Sequence, residues 1–435
     1  MTRFKLLSTK CIKKTKIIYL TFLTLMITII ISCGGGSSDD KKTESEDPTP
    51  TSTSEIDENL MAYGVPAVDA SDNTYMLFKE DLMMSGPTSA VSFKNDGSLN
   101  WNVEIDDYLQ NIVICNDLII LSGLNKVYAV SKSDGSTKWS YKLTEESGLA
   151  NTKGVHKPCI DSNGNIVIAV DSYLLDISTA KVACLISIKP DGTLNSKTEF
   201  PTGDDYDDRF TKMSPPMATD SGIFFSVFKT IDTGDSISLY RYDNNLNALN
   251  NRPYTGDVAS ESSFLAVTDT YVLFGLRDNN TYKTNVISMN NTFGSDNWTE
   301  ILDDYVTNSA VIDKNNNIVI SCEDGYIYKL NSTDGSKTWS SNIGKIFVRG
   351  ELIIGKNQKI YKSGQLPTEV SLSSGSESDP ISDAMASSEG AMLSDGTLVY
   401  GSDNKLIRVN TSSGGICPDA KWAKYGKDAA NSSLY

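Results

Sequence analysis

The chain has little of what usually announces chemistry. It holds one histidine, His156, among 435 residues, with no Cys-x-x-Cys and no adjacent cysteine pair. A Cys/His zinc site therefore lacks its ligands. No Gly-x-Ser-x-Gly elbow, Walker loop or His-Glu-x-x-His occurs, so the common signatures of serine hydrolases, nucleotide binders and zinc proteases are missing. Helical periodicity is almost absent, which argues against a bundle or an α/β layer. The longest apolar run, Ile17–Ile31, has 15 residues, short of the roughly 20 that a bilayer-spanning helix needs. Positive charge is also scarce: 39 basic against 55 acidic residues give a net charge of −16. So acidic a chain is unsuited to nucleic acid, whose phosphates require a basic surface.

What is present begins with an export signal. Residues 1–16 carry Arg3, Lys5, Lys10, Lys13, Lys14 and Lys16 and no acid, and the 15-residue apolar run follows; together they read as a signal peptide over 1–32. Ile30-Ile31-Ser32-Cys33 resembles a bacterial lipobox, which marks Cys33 for acylation. Several acyl chains anchor a protein stably where one would not. Gly34 follows Cys33 where many enterobacterial lipoproteins retained in the inner membrane have Asp. That resemblance points to the outer membrane, with the periplasmic face expected and the cell surface as the alternative. Residues 33–58 are almost all small, charged or Pro, with little to bury in a core, so they read as a flexible tether. Loss of the signal removes six positives, leaving 33 − 55 = −22 on the mature chain.

Seven cysteines occur. Cys11 leaves with the signal and Cys33 takes lipid, leaving Cys115, Cys159, Cys184, Cys322 and Cys417. An odd set cannot pair completely, and runs such as Asn-Ile-Val-Ile-Cys115 favour small buried hydrophobes over a disulfide framework.

Residues 59–435 are organised by one recurring hairpin. Its clearest copy is Tyr128-Ala-Val-Ser-Lys-Ser-Asp-Gly135-Ser-Thr-Lys-Trp139-Ser-Tyr, where an alternating strand turns at Asp-Gly. In four copies Trp follows Gly by four residues: Gly97/Trp101, Gly135/Trp139, Gly294/Trp298 and Gly335/Trp339, which account for all but Trp422 of the five tryptophans. Strand-rich units fall at 66–103, 112–143, 158–200, 216–254, 264–302, 310–343, 346–370 and 381–422. At about 45 residues each, they match the size of a four-stranded propeller blade. The expected fold is all-β, an eight-bladed β-propeller of four-stranded antiparallel blades. Because the seventh unit is short and lacks Asp-Gly and Trp, seven blades with an irregular insertion is the alternative.

The Asp-Gly-x3-Trp hairpin resembles the repeat of quinoprotein, or PQQ-like, propellers. That resemblance implies tryptophans docked between neighbouring blades. With the lipobox, the chain is similar to the lipoprotein subunit of the outer-membrane β-barrel assembly machine. The closing segment from Trp422 to Asn431 resembles one that usually precedes the first blade, so it is expected to supply an outer strand or to cap a face. Quinoprotein enzymes of this family bind quinone and Ca²⁺ beside a ring of adjacent cysteines; no Cys-Cys occurs here, and the calcium ligands and catalytic Asp have no matching positions.

Three acidic stretches, Asp69–Glu80, Asp204–Asp208 and Asp313–Asp324, carry oxygen ligands of the kind calcium takes. Ordinary turns explain them as well, since Asp and Asn bond their own backbone there. His156, without a visible nucleophile or orienting acid, reads as a loop histidine. The sequence thus predicts no enzyme, no cofactor and no metal. It predicts a monomeric, membrane-tethered scaffold with a protein partner in the envelope and a possible part in outer-membrane assembly. A surface binder of glycan or extracellular protein is the first alternative, and a divergent quinoprotein or hydrolase in the funnel is the second.

Overall fold

A computed structural model of the chain describes residues 52–80, 86–143, 155–173, 182–201, 210–231, 234–306, 310–343, 352–362, 366–421 and 423–424. Cys33, the leader, residues 33–51, the Asp204–Asp208 loop and Trp422 lie outside the described residues.

Eight antiparallel sheets follow one another along the chain. Their strands span 61–105, 109–142, 159–201, 210–255, 263–302, 311–342, 352–380 and 390–410, the last with an added strand from the N-terminal side. Composition sets the layering within each blade. Second strands such as Ile166–Val170, Ile-Val-Ile-Ala-Val, are buried on both faces, whereas outer strands such as Thr137–Lys142 alternate exposed and half-buried positions. The hydrophobic clusters lie between sheets. Ala67, Tyr75 and Leu77 of the first blade pack with Ile112, Ile119 and Tyr128 of the second, and Ile353 and Tyr361 of the seventh with Leu398, Tyr400 and Ile407 of the eighth. No blade covers its own faces, so the ring folds as a set. The fold is an eight-bladed β-propeller with no helix among the described residues.

The ring closes across the termini. Ser52–Glu55, inside the stretch read as tether, is a strand: it pairs with Lys405–Asn410 as the outer strand of the eighth blade. Glu55 pairs with Lys405 at 2.5 Å, the Ser54 hydroxyl donates to the Gly97 carbonyl, and Arg408 donates to the Asn95 carbonyl of the first blade. An outer strand needs only one apolar face and backbone partners, so Ser-Thr-Ser-Glu serves although its composition reads as linker. The expected outer-strand role of the C-terminal segment is thereby filled by the other end of the chain. Of that segment only Ala423 and Lys424 are described; Ala423 accepts Ile354 N–H at 2.9 Å at the first strand of the seventh blade, where Cys417 N–H also donates to the Ile354 carbonyl at 2.8 Å.

The alternative with seven blades is set aside. Residues 352–380 form a complete four-stranded sheet, Leu352–Ile354, Lys359–Lys362, Thr368–Ser371 and Glu377–Pro380. Ser374-Gly375 makes the turn that Asp-Gly makes elsewhere, with φ +74° at Gly375.

One blade departs from four strands. In the fourth, Pro215-Pro216 interrupts the inner strand, since proline has no N–H to donate and restricts its predecessor. Phe210–Met213 and Met217–Thr219 therefore pair separately with Gly222–Ile231, and Ser172–Tyr173 adds to the first of them. Ser214 bridges the gap: its N–H donates to Ser226 carbonyl and its hydroxyl accepts Ser226 N–H, both at 2.9 Å.

Candidate functional site

The hairpin residues have a mutual geometry. Each Trp of one blade lies on the turn glycine of the next: Trp101 on Gly135, Trp139 on Gly192, Trp298 on Gly335 and Trp339 on Gly375. A Cβ on any of these glycines would come within 2.5–2.8 Å of ring carbons. Each indole N–H also donates to a carbonyl of that turn, at 2.8 Å to Lys132, 2.9 Å to Pro190, 2.7 Å to Ser332 and 3.1 Å to Leu372. A β-bulge whose extra residue immediately precedes each Trp adds local twist at that point.

Two motif glycines differ from the rest. Gly97 meets Arg408 of the eighth blade instead of a Trp. At the looser fourth copy the left-handed residue is Phe293, φ +58°, not Gly294. There Arg252 of the fourth blade donates to the Gly294 carbonyl at 2.7 Å and pairs with Asp296 at 2.7 Å. Arginine thus staples two of the blade pairs that have no tryptophan, the fourth with the fifth and the eighth with the first.

Two of the acidic stretches hold their own turns. Asp69 accepts the N–H groups of Ser71 and Asn73, and Asp313 those of Asn315 and Asn317, all at 2.8–2.9 Å. Those oxygens are committed to the first hairpins of their blades. Asp134 at its hairpin behaves alike, and the Ser136 hydroxyl and N–H hold its carboxyl down at about 2. The five cysteines Cys115, Cys159, Cys184, Cys322 and Cys417 are buried free thiols, and burial raises those of Cys115, Cys159 and Cys322.

The two rims of the ring differ. The first and third hairpins of each blade, with turns such as those at Asp69, Asp134 and Asp313, emerge on one face; the second hairpins, among them Asp324-Gly325 and the Asp278 turn, emerge on the other. That second face also carries the longer blade-to-blade connections, such as 256–262 and 381–389, and the exposed side chains of Tyr282 and Met385, at 66% and 51% exposure. A cleft of about 250 Å³ opens on this loop face. It takes His156 from the third blade, Lys212 to Met217 from the interrupted fourth, Ser260 to Leu265 and Arg277 from the fifth, and Val306 ahead of the sixth.

Fixed hydrogen bonds shape the cleft walls. Ser262 accepts Arg277 N–H at 2.9 Å, repeating the role of Ser214 one blade on, and Thr284 accepts Val306 N–H at 3.2 Å. Arg277 donates to the Val306 carbonyl and lies over the Tyr305 ring, 4.8 Å from its centroid. His156 has an orienting acid after all: its Nε2 meets Asp171 Oδ1 at 2.8 Å, and the same oxygen accepts Met213 N–H at 2.7 Å. The pair ties the third blade to the fourth at the cleft wall. At the rim Lys212 pairs with Glu261 at 3.0 Å, and Ser260 donates to Glu261 at 2.7 Å. Burial raises the Glu261 carboxyl, but the Ser260 and Lys212 bonds and the lysine charge outweigh it and lower it overall.

Of these cleft residues the sequence singled out only His156, and read it as a loop histidine. Asp171 lies 15 residues beyond its histidine, and the other groups come from positions up to 150 residues apart. The one available signal was Pro215-Pro216 at the start of a strand-like run.

No family model and no curated protein matches the sequence. Solved structures do. BamB from Moraxella catarrhalis superposes with a TM-score of 0.56 at 12% identity, over 84% of this chain and 98% of that one. A europium-containing methanol dehydrogenase gives 0.56 at 9% identity over 80% and 84%. The quinohemoprotein alcohol dehydrogenase of Comamonas testosteroni gives 0.52 at 8% over 84% and 76%. At these identities the likeness is one of fold: the chain is an eight-bladed propeller resembling those of BamB and the quinoprotein dehydrogenases.

Proposed function

We propose that the protein is a non-catalytic envelope scaffold, anchored to the outer membrane by acylation of Cys33, whose loop face receives a protein partner, with outer-membrane protein assembly as its setting. The observation that carries the reading is the asymmetry of the ring. The blade-to-blade connections, an open cleft and the exposed Tyr282 and Met385 all lie on one face, while the other is made of the first and third hairpins alone. Tyr and Met side chains are among those enriched at protein-docking surfaces. The fold likeness to BamB supports the same reading.

The anchor is tested by labelling cells with radioactive palmitate. The wild-type protein is expected to take up label and fractionate with outer membrane, and Cys33→Ser to do neither. Label retained by Cys33→Ser would contradict the anchor. An enzymatic alternative is favoured by the dehydrogenase neighbours; it predicts that quinone with Ca²⁺ raises the melting temperature, since a ligand at a hundred times its Kd stabilises by about 2.7 kcal/mol. The scaffold reading predicts no shift.

A further inference from the structure

The blades repeatedly lay a cation over a tyrosine ring. Lys79 lies over Tyr108 at 3.9 Å from the centroid, Arg277 over Tyr305 at 4.8 Å and Arg252 over Tyr254 at 5.0 Å. These three tyrosines are half-buried, and their cations come from the protein itself. Tyr282 departs from the pattern. It is the one exposed tyrosine among the described residues, and its ring meets Tyr305 alone, at 6.1 Å between centroids. Among the described residues no cation covers it.

The backbone makes that exposure costly. Tyr282 has φ +58°, a left-handed conformation that a bulky side chain adopts only under strain. The hairpin that imposes it is firmly held. Asp278 accepts the N–H groups of Asn280 and Thr281 at 2.8 and 2.9 Å, and its carbonyl accepts Tyr282 N–H at 3.0 Å. Asn279 N–H ties the hairpin to the Asp257 carbonyl at 3.0 Å. With two-thirds of the side chain in water, packing does little to offset the strain. A rigid hairpin thus presents an aromatic ring that the fold itself does not use.

Charge indicates what the ring is presented to. Asp278 stands on the hairpin, and Asp257, Asp303 and Asp304 stand on the connections beside it. The cations there are already placed, Arg277 over Tyr305 and Lys283 against Asp303 at 2.9 Å. The Lys283–Asp303 pair is exposed on both sides, so it is weak and leaves Asp303 open to a second cation. A guanidinium suits both features, since it stacks flat on a tyrosine and offers its fork to a carboxylate.

We propose that Tyr282 docks an arginine side chain from a basic segment of the protein partner, a site that rests on the docking reading above for its occupant. The test is fluorescence anisotropy of the full chain in detergent, with a labelled peptide of alternating Ser and Arg as probe. Tyr282→Phe is expected to bind the peptide as wild type does, and Tyr282→Leu to bind it about threefold or more weakly. Tyr282→Gly, relieved of the left-handed strain, is expected to lose the same binding yet melt no lower than wild type. Equal binding by wild type and Tyr282→Leu would overturn the proposal, leaving only diffuse attraction between a basic peptide and an acidic chain. No binding at micromolar peptide, or a Tyr282→Gly melt several degrees below wild type, would overturn it too, the latter by making the ring a structural part. Ring-dependent peptide binding supports the site even where no partner is found in the envelope, a result that would count against the docking reading alone.

Discussion

Trp298 and Gly335 form a matched pair, and removing either is expected to show it. Gly335→Ala would place a Cβ 2.5 Å from the indole, at a backbone φ of +76°; overpacking plus a left-handed non-glycine residue should cost about 2–4 kcal/mol. Trp298→Ala should cost about 3–5 kcal/mol. The double variant should lose clearly less than the sum, because the new methyl fills part of the space the ring vacates. Urea denaturation of the three proteins measures this, and strict additivity would contradict the docking geometry. Gly294→Ala has no left-handed backbone to strain, but its Cβ would come within 2.8 Å of the Asn290 amide that holds the turn, so it should cost less than Gly335→Ala, about 1–2 kcal/mol. The sequence already marked the Gly294 copy as looser, since Phe293-Gly294 replaces Asp-Gly, and the positive φ at Phe293 shows how its turn differs. A second residue-scale expectation concerns Lys362, 5% exposed on the seventh blade. Burial pulls its amine down to about 8, offset in part by Glu377. Between that value and the unfolded value near 10.4 the unfolded chain holds more protons, so this group makes stability rise with pH across that window. Below pH 8 its cost is fully present. Lys362→Met should be more stable than wild type at pH 7, and the gap should narrow by pH 10 in denaturant titrations.

At the scale of the element, the closing strand is the feature the sequence hid. Ser52–Glu55 pairs by backbone with Lys405–Asn410, and backbone pairing leaves no apolar signature at an outer edge. Removing residues up to 50 should leave the melting temperature unchanged. Removing residues up to 58 should lower it by several degrees and make the eighth blade more open to hydrogen exchange; equal melting of the two truncations would contradict this closure. The blades that carry Asp-Gly and Trp were legible because turn chemistry and a bulky interblade group are local signals. The seventh was faint because Ser374-Gly375 replaces Asp-Gly, although Gly375 receives Trp339 as its counterparts receive theirs. The cleft was illegible because it is made by the break at Pro215-Pro216 and by side chains from four blades. No spacing rule links those positions.

For the whole molecule, the two faces of one ring differ in what they are made of. One face is made of the first and third hairpins, while the other carries the blade-to-blade connections, keeps Tyr282 exposed and holds a cleft whose walls are built but whose interior is open. A chain with a net charge of −16 also stays soluble and repels anionic lipid, so a tether rather than the ring surface would hold it at a membrane. The docking claim is tested most directly by site-specific photocrosslinking in cells. A photoreactive side chain is placed at Tyr282 or Met385 on the loop face, and at Asn245 or Asp334 on the turn face. The account predicts one discrete protein adduct from both loop-face positions and none from the turn face. The same adduct from Asn245 or Asp334, with none from Tyr282 or Met385, would contradict it.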